Sequence, residues 1–146
     1  GVDRIVVPTP WTRPVEELCA AGVRGEVYAH ELFTVAPGTS GDLLDAVGEV
    51  ARPLVAALGV EVVGAYEVAM ADRSEAIVIW ALPDWATWVA YERSWEPGGA
   101  LQPWADALLG LGARWRRFLM VDSPLSPLRI GRQPEVADRR PLDEIG

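Results

Sequence analysis

The chain has 146 residues, enough for one domain with a real core. Half of them are hydrophobic and 23% are charged, the balance of a soluble globular protein. Thirteen arginines, no lysine and 21 acidic residues give a net charge of −8, and no basic patch exceeds Arg114, Arg116 and Arg117, which argues against nucleic acid and anionic membrane as partners. One cysteine, Cys19, excludes an internal disulfide and fits a reducing cytoplasm. The longest apolar run, AIVIWAL at 76–82, is far shorter than a membrane span, and no charged-then-apolar leader opens the chain, so a cytoplasmic protein is expected.

RIVV at 4–7 reads as a short strand closed by Pro8 and Pro10. TRPVEELCAAG predicts a short helix, with Thr12 as cap, Pro14 in the first turn and Gly22 at the end. EVYAHELFTV, 26–35, is a strand stopped by Pro37-Gly38. Thr39 or Ser40 then caps a helix in which Leu43, Val47, Val50, Leu54 and Leu58 form one apolar stripe. Pro53 lies inside that stripe and should distort the helix near Glu49.

EVVGAYEVAM at 61–70 and EAIVIWAL at 75–82 are strands joined by a tight link, ADRS, and should pair antiparallel. Pro83-Asp84 opens a helix carrying Trp85, Trp88 and Trp95, and EPGGALQP at 96–103 breaks it. A last helix from about Trp104 to Arg114 leads into the strand RRFLMVD. A proline- and arginine-rich tail from Ser123 lies outside the core.

The order strand, helix, strand, strand, helix, strand is the ferredoxin-like βαββαβ arrangement, an α+β fold over residues 27–122, with an N-terminal extension (1–26) and a C-terminal tail (123–146). Along 76–82 both alternating sets of residues are apolar, so the strand needs cover on both faces. With no further helices for the second face, two copies are expected to pack sheet to sheet as a homodimer; the alternative is that the N-terminal segment covers it.

The stretches VYAHELFTVAPG (27–38), VVGAYEVAMADRSEAIVIWALPDWATW (62–88), LQPWADAL (101–108) and FLMVDSPLSPL (118–128) carry a resemblance to the NIPSNAP group of the dimeric α/β-barrel superfamily, spanning residues 28–128. Ala29-His30-Glu31 stands where typical members have a Glu-Leu-Arg core in the first strand. The resemblance implies a homodimeric α/β barrel and a pocket between sheet and helices, in a superfamily of cofactor-independent cyclases and monooxygenases, haem proteins and proteins without a known reaction.

In the tryptophan-rich helix Trp85, Trp88, Tyr91 and Trp95 fall on one arc. The arc is either core or the wall of a gap for a planar apolar ligand. Glu92 falls inside it, where a carboxylate loses solvation and turns into a general acid or base; the alternative is a helix-end group reaching an arginine or water. His30, the one histidine, shares a strand face with Tyr28, Leu32 and Thr34. If that face looks toward the helices, His30, Glu92, Tyr28, Tyr66 and Trp80 surround one cavity, with His30 and Glu92 catalytic. Glu31 faces the other way, and Glu67 alternates with Val63, Ala65 and Ala69; both are expected to pair with arginine at the dimer interface. No metal site and no cofactor is expected, since one histidine and one cysteine make no zinc pattern.

The leading expectation is therefore a cofactor-free enzyme that cyclises, isomerises or oxygenates a hydrophobic, polycyclic or polyketide-like small molecule. Tyr28, Tyr66, Trp80, Trp85, Trp88, Tyr91 and Trp95 would bind it. The alternative is a non-catalytic ligand-binding or interaction protein, and a third is a haem protein ligated through His30.

Overall fold

The structure, a computed structural model, describes residues 3–141 and Glu144; the two N-terminal residues and the last of the tail lie outside the described residues. Five strands, β1 (Val6–Pro8), β2 (Val27–Thr34), β3 (Glu61–Val68), β4 (Glu75–Leu82) and β5 (Arg114–Met120), form one sheet in the order β1-β3-β4-β2-β5. Every neighbouring pair is antiparallel. The chain is thus α+β, and the order of its last four strands is compatible with a ferredoxin-like fold. The N-terminal extension joins this sheet, because β1 pairs with β3 at its edge.

One face carries the long helices: α2 (Ser40–Ala46), α3 (Arg52–Ala56), α4 (Trp85–Arg93) and α5 (Gln102–Gly110). Between α2 and α3 the helix widens into a π-helical segment, Val47–Ala51. Pro53 has no N–H for the Glu49 carbonyl, so the expected distortion takes this form. The core lies under these helices, where Val27, Ala29 and Phe33 of β2 and Ala76, Val78, Trp80 and Leu82 of β4 meet Leu43, Val47, Tyr91 and Trp104. Asp84 caps α4, its Oδ1 accepting from the Thr87 backbone N at 2.7 Å.

Three expected caps form differently. Thr39 precedes α2, but its hydroxyl donates back to the Ala36 carbonyl at 2.6 Å. Ser40 donates to Glu67 across to β3 at 2.7 Å. Thr12 does not cap α1 (Val15–Ala20): its Oγ1 both accepts from Ala65 N and donates to Ala65 O, at 3.0 Å each, tying the N-terminal segment to β3. The last helix also ends earlier than expected, at Gly110, and Arg114 begins β5.

The opposite face of the sheet is half covered, and by this chain itself. Leu18, Val23 and Leu128 pack over Tyr28, Ala81, Val63 and Ile79. Leu18 belongs to α1 and Leu128 to α6 (Pro127–Ile130), so the tail is part of the packed structure here. Cys19 helps dock it, its thiol donating to the Pro127 carbonyl at 3.3 Å. The rest of this face, around Leu32, Tyr66, Val68 and Ile77, has no helix over it among the described residues.

Candidate functional site

Alternation along β2 sends its residues to two different sites. Tyr28, His30 and Leu32 face the half-covered side, and Ala29, Glu31 and Phe33 face the helices. The condition for one shared cavity, that the Tyr28 face looks toward the helices, is not met. His30 and Tyr66 open on one side of the sheet, and Trp80, Tyr91 and Glu92 stand on the other.

On the half-covered side lies a hollow of about 670 Å³. Its floor is Leu32, Ile77 and Ile79, from adjacent positions on β2 and β4. Tyr66, Phe118 and Val6 wall it, and His30, Arg4 and Arg116 bring polar groups to it. The volume suits a small organic ligand, and an apolar lining with few polar groups is the usual make-up of such sites. His30 is paired with Phe118 across β5, and its Nδ1 lies 3.4 Å from Met120 Sδ, a weak partner. Burial, and then the charge of Arg4, hold its pKa below 6.5, so the ring is neutral at pH 7 and free to accept a proton. Burial raises the pKa of Tyr66, which keeps its hydroxyl as a donor.

Tyr66 is placed by a glycine. A Cβ on Gly64 would stand 2.2 Å from Tyr66 Oη, so the ring lies along its own strand over Gly64. A β-bulge between Val62 and Gly64 shifts the register there. It also moves Val63 onto the Tyr28 side, away from Ala65. Glu67 is on the helix side with Ala65, bound to Ser40 and, at 3.4 Å, to Arg73, and not against a partner sheet.

Tyr28 does not line the hollow. It is buried at the covered end, where its hydroxyl accepts from Gly25 N at 3.1 Å and donates to Asp122 Oδ2 at 3.2 Å. Burial is the main cause of its raised pKa.

Under the helices the Glu31 carboxylate is fully buried. It accepts from Trp80 Nε1 at 2.6 Å, Tyr91 Oη at 3.1 Å and Arg117 Nε at 2.8 Å. Arg117 Nη2 lies 2.7 Å from the same carboxylate, close as a charge and out of line as a hydrogen bond. The guanidinium sits 4.8–5.5 Å from the ring centres of Trp115, Tyr91, Trp88 and Trp95. Burial is the largest single influence and opposes its charge, but Glu31, Tyr91 and Glu92 together outweigh burial and raise its pKa. Tyr91, buried and beside Glu31, has its pKa raised well above 10. With Glu31 filled by protein donors and the rings filled by Arg117, this cluster is a closed ion pair in an aromatic box. The expected arginine partner of Glu31 is real, but it comes from β5 of the same chain.

Most of the tryptophan arc is core. Tyr91 is fully buried, Trp88 and Trp95 pack against the core, and Trp85 is 46% exposed. Glu92 also lies at the rim, its side chain 48% exposed and paired with Arg117, so the loss of solvation expected of it does not occur. Trp80 is fully buried with its N–H committed to Glu31.

The residues of the hollow that were not foreseen are Arg4, Val6, Leu32, Ile77, Ile79, Arg116 and Phe118. Period-two alternation in RRFLMVD places Arg116 with Phe118, but only the β2–β5 register, Leu32 opposite Arg116 and His30 opposite Phe118, brings them to His30. Among the described residues no group of three or more His, Cys, Asp or Glu is arranged to hold a metal ion, and no helix is long and apolar enough to cross a membrane. Compared with protein-family models, with curated proteins and with solved structures, the chain matches none.

Proposed function

We propose that this chain binds a hydrophobic small molecule in the half-covered hollow and acts on it by proton transfer through His30. The carrying observation is a neutral imidazole opening into an apolar hollow of ligand size. His30 would take a proton from a carbon acid; the C–H electron pair would move into the adjacent carbonyl, whose oxygen the Tyr66 hydroxyl can face as a donor. Return of the proton at another carbon isomerises the substrate, and attack of the carbanion on an internal carbonyl cyclises it. This chemistry needs no cofactor. General acid/base catalysis of this kind contributes on the order of a hundredfold to ten-thousandfold.

The same reading includes a homodimer of the NIPSNAP-like, dimeric α/β-barrel kind. Phe118 and Met120 on β5, beside the hollow, are each 51% exposed, and a second copy laid sheet to sheet would cover them and keep water from the substrate. Sedimentation velocity that returns only monomer removes this part.

A panel of bicyclic ketones, such as 2-tetralone, tests the chemistry by deuterium uptake from D2O. The protein should accelerate uptake for at least one member, and His30→Gln should lose about a hundredfold of that acceleration. Equal rates with His30→Gln, or no acceleration with any ketone, overturn the catalytic reading. Binding without turnover would instead favour a ligand carrier, a reading supported by the fact that His30 alone of the two expected proton carriers reaches the hollow.

A further inference from the structure

We infer that the molecule bound in this hollow is an acid: a flat apolar body bearing a carboxylate or similar anionic group, held by Arg4 and Arg116. This rests on the reading of the hollow as a ligand site and goes beyond it by naming the ligand's charge.

The argument starts from an imbalance. The chain carries a net charge of −8, yet three of its thirteen arginines, Arg4, Arg114 and Arg116, meet at this mouth. Arg4 and Arg116 line the hollow itself. They also line a second, adjoining recess of about 270 Å³ together with Arg114, Leu32 and Glu75. Arg114 and Arg116 alternate along β5 on the same side as Phe118, so the strand repeats a cation on the face that looks into the recess.

Only one carboxylate lines either recess. Glu75 stands 3.5 Å from Arg4 Nε, a partly exposed pair that water screens. Among the described residues Arg116 has no carboxylate within ion-pair distance. Its guanidinium lies 5.4 Å from the centre of the Phe118 ring, a placement that steadies the group while leaving its edge N–H donors available. A planar fork of this kind matches a carboxylate in two-point geometry. The contrast with Arg117, one residue on, is direct. Arg117 is sealed between Glu31 and four rings, and Arg116 stands exposed at a hollow with its donors unclaimed.

The floor selects the rest of the ligand. Leu32, Ile77 and Ile79 offer no hydrogen bond, so a ligand made only of polar groups would lose its hydration without replacement. An apolar body against the floor, with its acid at the arginine mouth, satisfies both halves. His30 lies two residues along β2 from Leu32, which stands opposite Arg116, and so faces the apolar body of the ligand.

Two dyes of one skeleton test this: 1-anilinonaphthalene-8-sulfonate and its uncharged twin, N-phenyl-1-naphthylamine, followed by fluorescence. The sulfonate should bind more tightly by on the order of tenfold, the scale of one charge-assisted hydrogen bond near solvent. Arg116→Gln should remove that preference and leave the neutral dye unchanged, and Arg4→Gln should reduce it. Equal binding of the two dyes, or an Arg116→Gln variant that weakens both alike, overturns the assignment of an acid and leaves the hollow as a neutral ligand site. Leu32→Trp, which fills the hollow, should abolish both signals, with near-ultraviolet circular dichroism showing that the variants fold. If neither dye binds, or if Leu32→Trp keeps both, the ligand site itself is wrong.

Discussion

His30 and Glu31 are consecutive residues of β2 that face opposite sides of the sheet, one into an open hollow and the other onto a buried arginine. The difference in their chemistry follows from this alone. His30 keeps weak partners and stays available for a ligand. Glu31 has three donors, one of them its ion-pair partner Arg117, engaging both oxygens of a fully buried carboxylate.

Because His30 is the one histidine, its ring protons can be followed by NMR without assignment. Its midpoint should fall below 6.5, with burial the larger cause and Arg4 the smaller. Arg4→Gln should therefore move the midpoint upward but not fully back to 6.5. The sign for stability follows. A depressed folded pKa means that the contribution is present above the unfolded value, about 6.5, and is lost as pH falls through the folded one. A midpoint at or above 6.5 in the wild-type chain would contradict the burial assigned to His30.

Much of the fold was legible because period and punctuation agree. EAIVIWAL is β4 to the residue, and Pro83-Asp84 opens α4, with Asp84 as its cap. Pro53 gives its distortion where it must. The pairing of elements across the sheet was less legible. Which face of β2 meets the helices depends on the whole sheet's register, and both faces of β2 and β4 carry apolar residues. A bulge at Val63 reverses the alternation that had joined it to Glu67. Of the aromatics expected on one helical arc, Trp88, Tyr91 and Trp95 do meet, but Trp95 stands beyond the end of α4 and the buried centre lies at Tyr91, which leaves Trp85 and Glu92 at the rim.

The Glu31–Arg117 pair should be the most sensitive point of the core. Replacing Glu31 by Leu leaves a guanidinium, 12% exposed, without its main counter-charge. The cost should be about 3–5 kcal/mol in urea unfolding, the scale for breaking a buried pair. Glu31→Leu combined with Arg117→Met should recover most of that loss, because no charge then remains buried. Arg117→Lys should also destabilise, since a single ammonium cannot reach Glu31 and lie flat among four rings. A Glu31→Leu cost under about 1 kcal/mol would show that the pair is solvated in solution.

Trp80→Phe keeps most of the buried ring and removes the N–H that Glu31 accepts at 2.6 Å. A hydrogen bond to a charged group is worth about 1.5–3 kcal/mol, and the smaller ring adds a packing loss. Adding Trp80→Phe to Glu31→Leu should cost much less than it does in wild type, because the acceptor is already gone. Strict additivity in that double-mutant cycle would disprove the link.

Gly64→Ala separates the sheet from the hollow. The new methyl would meet Tyr66 at 2.2 Å from Oη and 2.5 Å from Cζ, so the ring must leave its bed over the strand. The atoms met belong to the far end of a movable side chain, and Tyr66 is only partly buried, so the ring can swing outward into the hollow. Any strain is opposed by the lower unfolded-state entropy of alanine, about 0.4–1 kcal/mol, and thermal stability should change little. Ligand binding should suffer instead, with both the anionic and the neutral naphthalene dye weakened together as Tyr66 takes their space. Tyr66→Ala added to Gly64→Ala should restore room and with it the neutral dye. A Gly64→Ala protein that unfolds early yet binds both dyes unchanged would place the strain in the strand and deny Tyr66 its place on the wall of the hollow.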